Sequence, residues 1–192
     1  MSVTTLDPNT ALVVIDLQKG IVGLSVEPSA ANVIENTVQL LTAFRERGLP
    51  VVLVNVDGGA PGRTEQSHGV AGAARPAGWD ELVPELGAQS GDYLVTKRSW
   101  GAFTNTGLDA YLRGQGVTQV VVVGIATSIG VESTARQAYE HGYNVTLATD
   151  AMADRNAATH RNSIELIFPR LGETGTTAEV LELLGSRDAG VA

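Results

Sequence analysis

One stretch of the chain, Val117 to Gly142, constrains the fold more than any other, and its sequence is VTQVVVVGIATSIGVESTARQAYEHG. It contains an unbroken run of valines from Val120 to Val123. A β-branched run without polar alternation is typical of a strand buried on both faces of a parallel sheet. Small and apolar residues then recur at helical spacing from Val131 to Ala138. We therefore predict a central strand that is followed almost at once by a helix.

The turn between this strand and helix, Gly124 to Gly130, is the first candidate for a functional site. Thr127 and Ser128 are residue types that commonly cap the N-terminus of a helix. Open α/β sheets bind ligands at the carboxyl ends of their strands, and a helix N-terminus favours an anion or a carboxylate. The turn is thus a predicted binding site for a small polar ligand.

Shorter segments on either side repeat the strand and helix pattern. The predicted strands are Ala11–Ile15, Val51–Val56, Leu94–Thr96 and Asn144–Ala148, and the predicted helices are Asn32–Arg47, Gly107–Leu112, Asn156–Ile167 and Thr176–Leu184. Strands that alternate with helices predict an α/β protein with a parallel sheet. We expect a three-layer α/β/α sandwich around a mainly parallel, Rossmann-like sheet of about six strands. A length of 192 residues fits a single domain over residues 1–192.

Composition and charge narrow the classes of partner. The net charge of -8 argues against nucleic acid, because no basic patch offsets it. The apolar runs are too short to cross a membrane, and the N-terminal residues MSVTTLDPNT do not resemble a secretion signal. We expect a cytoplasmic protein with a small-molecule substrate. The chain has no cysteine, which excludes disulfides, thiolate metal sites and a cysteine nucleophile.

Three aspartates, Asp16, Asp57 and Asp150, each follow a predicted strand. The carboxyl ends of parallel strands share one edge of a sheet, so these side chains could meet in one pocket. Aspartate is also common as a capping residue in turns, and that reading explains any one of the three equally well.

The segment from Gly124 to Tyr143, GIATSIGVESTARQAYEHGY, resembles the signature of the isochorismatase-like hydrolases. This superfamily includes the nicotinamidases and the N-carbamoylsarcosine amidases. The resemblance extends from Ala11 to about Leu184. In most members a cysteine nucleophile stands at the position of Gly130, whereas the true isochorismatases also carry glycine there.

The resemblance implies a set of site residues. It makes Asp16, in an Asp-x-Gln sequence, the catalytic acid or base, and it places Lys97 and Gly130 beside it as the other catalytic positions. It also implies a cis peptide between Ile125 and Ala126. The predicted substrate-binding residues are Gln18, Trp100, Phe103, Ile125, Ala126, Thr127 and Ile129. Without the resemblance, a turn-capping aspartate, a solvated lysine and two core aromatic residues would remain open readings.

Nicotinamidases bind a metal ion through an aspartate and nearby histidines. Asp57 matches the aspartate, but Gly59 stands where a histidine would follow, and His68 is a weak candidate. We therefore predict no metal and no cofactor. Arg63, in the same loop, could reach a substrate carboxylate or could simply be exposed. The resemblance also implies a homo-oligomer.

Three hypotheses about function follow. In the first, Asp16 acts as an acid in the hydrolysis of an isochorismate-like vinyl ether, a reaction that needs no covalent intermediate. In the second, the chain is a non-catalytic or substrate-binding homologue of the cysteine amidases. In the third, which is less favoured, Ser128 is the nucleophile of a serine hydrolase with Asp150 and His160, because Ala126 to Gly130 nearly matches a nucleophile elbow.

Overall fold

The computed structural model describes residues 3–65 and 75–188. Its sheet has six parallel strands in the order β3-β2-β1-β4-β5-β6. The strands are β1 (Thr10–Ile15), β2 (Val51–Val56), β3 (Tyr93–Lys97), β4 (Gln119–Ile125), β5 (Asn144–Ala153) and β6 (Glu173–Gly175). This strand order is that of a Rossmann-like doubly wound sheet, as predicted.

Helices cover both faces of the sheet. They are α1 (Lys19–Val22), α2 (Ala30–Glu46), α3 (Leu108–Gly114), α4 (Glu132–Glu140), α5 (Ala157–Asn162) and α6 (Thr177–Asp188). Two π-helical turns, Thr127–Val131 and Ser163–Ile167, and two 3₁₀ turns, Pro84–Leu86 and Phe168–Arg170, complete the described structure. None of these described helices is long and apolar enough to span a membrane.

Alternation along β1 explains the three layers. Successive side chains of a strand point to opposite faces, so every second residue contacts the same helices. Leu12 and Val14 pack with residues of α2 and α6 in one core. Val13 and Ile15 pack with residues of α3 and α4 in the other core. Because both faces are covered, β1 needs apolar residues throughout, and this is why its sequence shows no polar alternation.

The position of the site follows from the path of the chain. From β1 the chain moves outward to β2 and β3, and it then returns to place β4 against the other side of β1. Strand order therefore reverses between β1 and β4, and a crevice forms beyond the ends of these two strands. Asp16 directly follows β1, and the turn Thr127–Val131 directly follows β4.

The structure differs from the sequence predictions mainly on the β5 and β6 side. Strand β5 runs on to Ala153, because an irregularity in register near Val122 and Gly124 lets its second half pair again with β4. The predicted helix over Asn156–Ile167 is α5 followed by a π-helical turn. Strand β6 has only three residues and no β-branched run, so its sequence carried no strand pattern.

Gly124 allows β4 to approach β1 next to the site. Its φ is +119°, and a Cβ added to it would lie 2.0 Å from the carbonyl oxygen of Ile15. We expect Gly124→Ala to lower the free energy of unfolding by about 3 kcal/mol or more, because the methyl group would overlap backbone. Urea denaturation measures this change.

Gly114 is a matched control for this substitution. It lies in α3, and a Cβ there would meet nothing within 4 Å. We expect Gly114→Ala to change stability by less than about 1 kcal/mol and in the favourable direction, since alanine is the better helix former. Equal effects of the two substitutions would contradict this account of Gly124.

Candidate active site

Asp16 lies at the carboxyl end of β1 and is 5% exposed. Its φ is +53°, a conformation that residues other than glycine seldom adopt and that aspartate tolerates better than most. The Asp16 amide still donates to the Val54 carbonyl in β2, at 2.9 Å. Positive φ at a buried carboxylate is a local strain of the kind found at functional sites.

Lys97 ends β3, on the far side of β2, and its side chain extends back toward β1. Its ammonium group donates to Asp16 Oδ2 at 2.7 Å and to the Ser99 carbonyl at 3.1 Å. Lys97 is 2% exposed. A lysine this deeply buried needs compensating partners, and Asp16 supplies the opposite charge.

Burial dominates the electrostatics of Asp16. Loss of solvent raises the pKa of its carboxyl group to about 6, although the charge and the hydrogen bond of Lys97 act to lower the pKa. Asp16 Oδ2 is held by Lys97, whereas Oδ1 is buried and has no hydrogen-bond partner among the described residues. This arrangement leaves one carboxyl oxygen available for proton transfer to or from a ligand.

Gly130 faces this ion pair from the turn after β4. A Cβ added to Gly130 would lie 3.2 Å from Asp16 Oδ2, 3.7 Å from Lys97 Nζ and 2.8 Å from Ile15 Cγ2. Any side chain at this position would therefore point at the ion pair and crowd β1. The structure thus brings together the three predicted catalytic positions, Asp16, Lys97 and Gly130.

Asp154, which follows β5, caps the π-helical turn Thr127–Val131. Its Oδ2 accepts a hydrogen bond from the Ser128 amide at 2.7 Å. Burial acts to raise the pKa of Asp154, but hydrogen bonds from Ser128, Asn156 and Thr159 outweigh it and hold the pKa below its usual value. Its Oδ1 accepts from the Asn156 amide at 3.2 Å. Thr127 and Ser128 were expected to cap this helix themselves. Instead the π-helical turn has no cap from its own side chains, and the Asp154 carboxylate, which follows β5, accepts the hydrogen bond of the Ser128 amide.

The proposed serine triad is not assembled. The Thr127 hydroxyl, rather than that of Ser128, lies 2.8 Å from His160 Nδ1. Asp150 accepts hydrogen bonds from the amide and the hydroxyl of Thr177, so it caps α6 and does not orient a histidine. Ser128 therefore has neither partner that a nucleophilic serine would need.

A cavity of about 260 Å³ opens above the ion pair. This is close to the lower end of the range for small-molecule sites. The apolar part of its lining is larger than the polar part, and it includes Ile21, Leu24, Val56, Trp79, Trp100, Ile125, Ala126 and Ile129. The charged side chains in its lining are Asp16, Lys97, Arg75 and Arg155. The peptide bond between Ile125 and Ala126 is cis.

Four of the seven predicted substrate-binding residues line this cavity: Trp100, Ile125, Ala126 and Ile129. The other three do not. Gln18 is fully buried. Its side-chain amide donates hydrogen bonds to the carbonyls of Val56 and Trp79 and accepts one from the Val56 amide. Phe103 packs in the core against His141 and Tyr143. Thr127 is fully buried behind the turn. Sequence position alone does not separate a residue that faces the cavity from one that supports its wall.

The described residues near Asp57 do not fit a metal site. The Asp57 side chain is half exposed, and its nearest cation is Arg75, at 3.7 Å. Within residues 3–65 and 75–188, no three acidic or histidine side chains are grouped to hold an ion. His68 lies outside the described residues.

The cavity is also lined by residues that the sequence did not identify as site residues, and among them the large or charged side chains of Arg75, Trp79 and Arg155 matter most for ligand binding. Arg155 carried a usable signal, because it follows β5 as Asp16 follows β1, at the same edge of the sheet. Arg75 lies within, and Trp79 directly after, the glycine-rich stretch of sequence from Gly58 to Gly78, which has no periodic pattern from which the orientation of a side chain can be predicted. Arg63 was considered instead, and it does not line the cavity.

The chain is similar to known proteins over most of its length. Residues 10–179 match the family model of the isochorismatase domain. The uncharacterized isochorismatase family protein YwoC of Bacillus subtilis is 46% identical over 90% of this chain and 93% of its own length. The ureidoacrylate amidohydrolase RutB of Pseudomonas syringae pv. syringae is 33% identical over 74% of this chain and 69% of its own length. A solved isochorismatase family protein from Burkholderia thailandensis is 42% identical, with a TM-score of 0.84 over 96% of this chain and all 100% of its own.

The buried ion pair generates a stability prediction. Replacing Lys97 by methionine keeps the side-chain length but leaves the Asp16 carboxylate without a partner. We expect Lys97→Met to lower the free energy of unfolding by about 3 kcal/mol at neutral pH. The loss should shrink as the pH falls toward about 6 and should be small below it, because Asp16 is then protonated in both proteins and carries no charge to compensate.

Lys19→Met is the control for this measurement. Lys19 forms an ion pair with Glu81, but both side chains are more than half exposed. Exposed pairs contribute less than about 1 kcal/mol. Urea denaturation at two pH values that gave similar losses for both variants would contradict the role assigned to Lys97.

Proposed function

Because the chain belongs to the isochorismatase-like hydrolase family, we propose that it hydrolyses a small molecule with Asp16 as its proton-transfer group and water as its nucleophile. The observation that supports this most directly is the Asp16 carboxyl group, which is buried, paired with Lys97 and raised in pKa to about 6. Gly130 has no side chain, so the turn after β4 places no nucleophile next to the Asp16 carboxyl group.

The preferred substrate class is an isochorismate-like vinyl ether. Protonated Asp16 gives its proton to the terminal methylene carbon of the enol ether, and the adjacent carbon becomes an oxocarbenium ion. Water adds to that carbon, and its proton returns to the Asp16 carboxylate. The hemiketal hydroxyl then loses its proton as the bond to the ether oxygen breaks, that oxygen takes up a proton, and the products are a ketone and an alcohol.

Lys97 and Arg155 have separate roles in this proposal. Lys97 stabilises the Asp16 carboxylate that is formed when the proton is given away, at a distance of 2.7 Å. Arg155 lines the same cavity and has no hydrogen bond or ion pair within the described part of the chain. A guanidinium that lines the same cavity as Asp16 suits a substrate that carries a carboxylate.

Hydrolysis of an amide or a urea is the second candidate. The similarity to a ureidoacrylate amidohydrolase supports it. Without a thiol, Asp16 would act as a base that removes a proton from the attacking water. A protein that binds ligands without turnover is the non-enzymatic alternative. The homo-oligomeric state and the cytoplasmic location also stay predictions.

The first test is a substrate panel of small vinyl ethers, amides and ureas. We expect turnover of a vinyl ether, and we expect Asp16→Asn to reduce kcat/KM by at least about a hundredfold while circular dichroism stays unchanged. Glu85→Gln, the same chemical change at an exposed carboxylate, should leave turnover as it is. An Asp16→Asn variant as active as the parent protein would remove Asp16 from the mechanism.

The pH profile separates the two enzymatic candidates. An acid must be protonated, so vinyl ether hydrolysis should be level below about pH 6 and should fall as the pH rises through the pKa of Asp16. A base must be ionised, so amide or urea hydrolysis should fall as the pH drops below the same value. A vinyl ether reaction that gains rate with rising pH through this range would contradict the acid role of Asp16.

A further inference from the structure

The indole of Trp79 rests directly on Gly20, in the first turn of α1. A Cβ added to Gly20 would lie 2.1 Å from Trp79 Cδ1 and 2.1 Å from Trp79 Nε1. Any other residue at position 20 would therefore displace the indole. The position of the Trp79 indole thus depends on the absence of a side chain at Gly20.

Backbone hydrogen bonds fix the segment that carries Trp79. The Gly20 amide donates to the Trp79 carbonyl and the Lys19 amide to the Glu81 carbonyl, both at 2.9 Å. The Val83 amide donates to the Leu17 carbonyl at 3.0 Å. The segment therefore lies antiparallel along the chain that follows β1, and the wall of the cavity is tied to the residues next to Asp16.

Arg75 lies over the indole of Trp79. Its guanidinium carbon is 3.9 Å from the ring centroid, within the range of a cation–π contact. One terminal nitrogen donates to the Gly58 carbonyl at 2.8 Å. The Asp57 carboxylate is 3.7 Å away, which is too far for a hydrogen bond. The guanidinium is therefore held in place, and its other donors form no hydrogen bond with residues 3–65 or 75–188.

The charges of the cavity favour an anion at this position. Asp16 and Lys97 compensate each other, and Asp57, which lies outside the lining, offsets part of the charge of Arg75 at 3.7 Å. Arg155 still leaves the described lining with a positive balance, in a chain whose net charge is -8. We propose that Arg75 is a specificity-determining residue that binds a carboxylate of the substrate at the mouth of the cavity, with Trp79 and Gly20 as the residues that position it. This inference rests on the proposed function for its choice of site.

The test measures binding and does not require turnover. The chain has two tryptophans, Trp79 and Trp100, and both line the cavity, so tryptophan fluorescence reports occupancy. Benzoate and benzamide serve as probes, because they share a shape and differ in charge. We expect the parent protein to bind benzoate about tenfold more tightly than benzamide, a difference typical of one charge-assisted hydrogen-bonded contact.

Three variants assign this preference. Arg75→Met should remove most of it, with any small remainder due to Arg155, and Arg75→Lys should retain more of it because the charge remains. Gly20→Ala should also reduce it, although it leaves every charge in place, because the indole under Arg75 would be displaced. Arg136→Met is the control, since it makes the same change in an exposed arginine that pairs with Glu132 within α4.

Two results would overturn the proposal. One is that the parent protein binds benzoate no more tightly than benzamide, or binds neither probe. The other is an Arg75→Met variant that keeps the preference. Both results can be distinguished from a failure of the proposed reaction. If Asp16→Asn loses turnover but keeps the benzoate preference, the role of Arg75 is supported. If the enzyme is active but shows no benzoate preference, the role of Arg75 is rejected.

Discussion

The structure around the site depends on one interaction, the buried ion pair between Asp16 and Lys97. Two charges removed from water are costly unless each compensates the other, so this pair constrains every element that contributes to it. Lys97 lies two strands away from Asp16, and its side chain must cross the end of β2 to reach it. The sheet order, the burial of both residues and the positive φ of Asp16 all serve to keep the two groups 2.7 Å apart.

The ion pair also explains why glycine at position 130 is informative. In a site built for a thiol, the nucleophile would project over the pair, and the aspartate would receive its proton. Here Gly130 supplies no nucleophile, the Ile15 side chain packs against the position that a Cβ would take, and burial raises the pKa of the Asp16 carboxyl group to about 6. The same residues therefore suit proton transfer with a water molecule. The cavity above them, walled by Trp79 and Trp100, limits the reaction to a small molecule.

Much of this could be predicted from the sequence, because strand ends in a parallel sheet converge. The strand Val51–Val56 was predicted to the residue, and Asp16 and Lys97 follow from strand ends read together with the family resemblance. The direction in which each side chain points was harder to predict. Phe103 and Trp100 are three residues apart in one segment, yet the first packs in the core and the second faces the cavity. The contact between Gly20 and Trp79 joins distant parts of the chain, and neither residue type signals it.

The most direct measurement of the central claim is the titration of Asp16 itself. Carbon-13 NMR follows the side-chain carboxyl signals with pH, and comparison with Asp16→Asn assigns the resonance of this residue. The structure predicts a midpoint near 6, because burial outweighs the effect of Lys97. A midpoint at or below about 4, the ordinary value for an aspartate, would contradict it. Asp16 would then remain ionised at every pH near neutrality and could not serve as the acid.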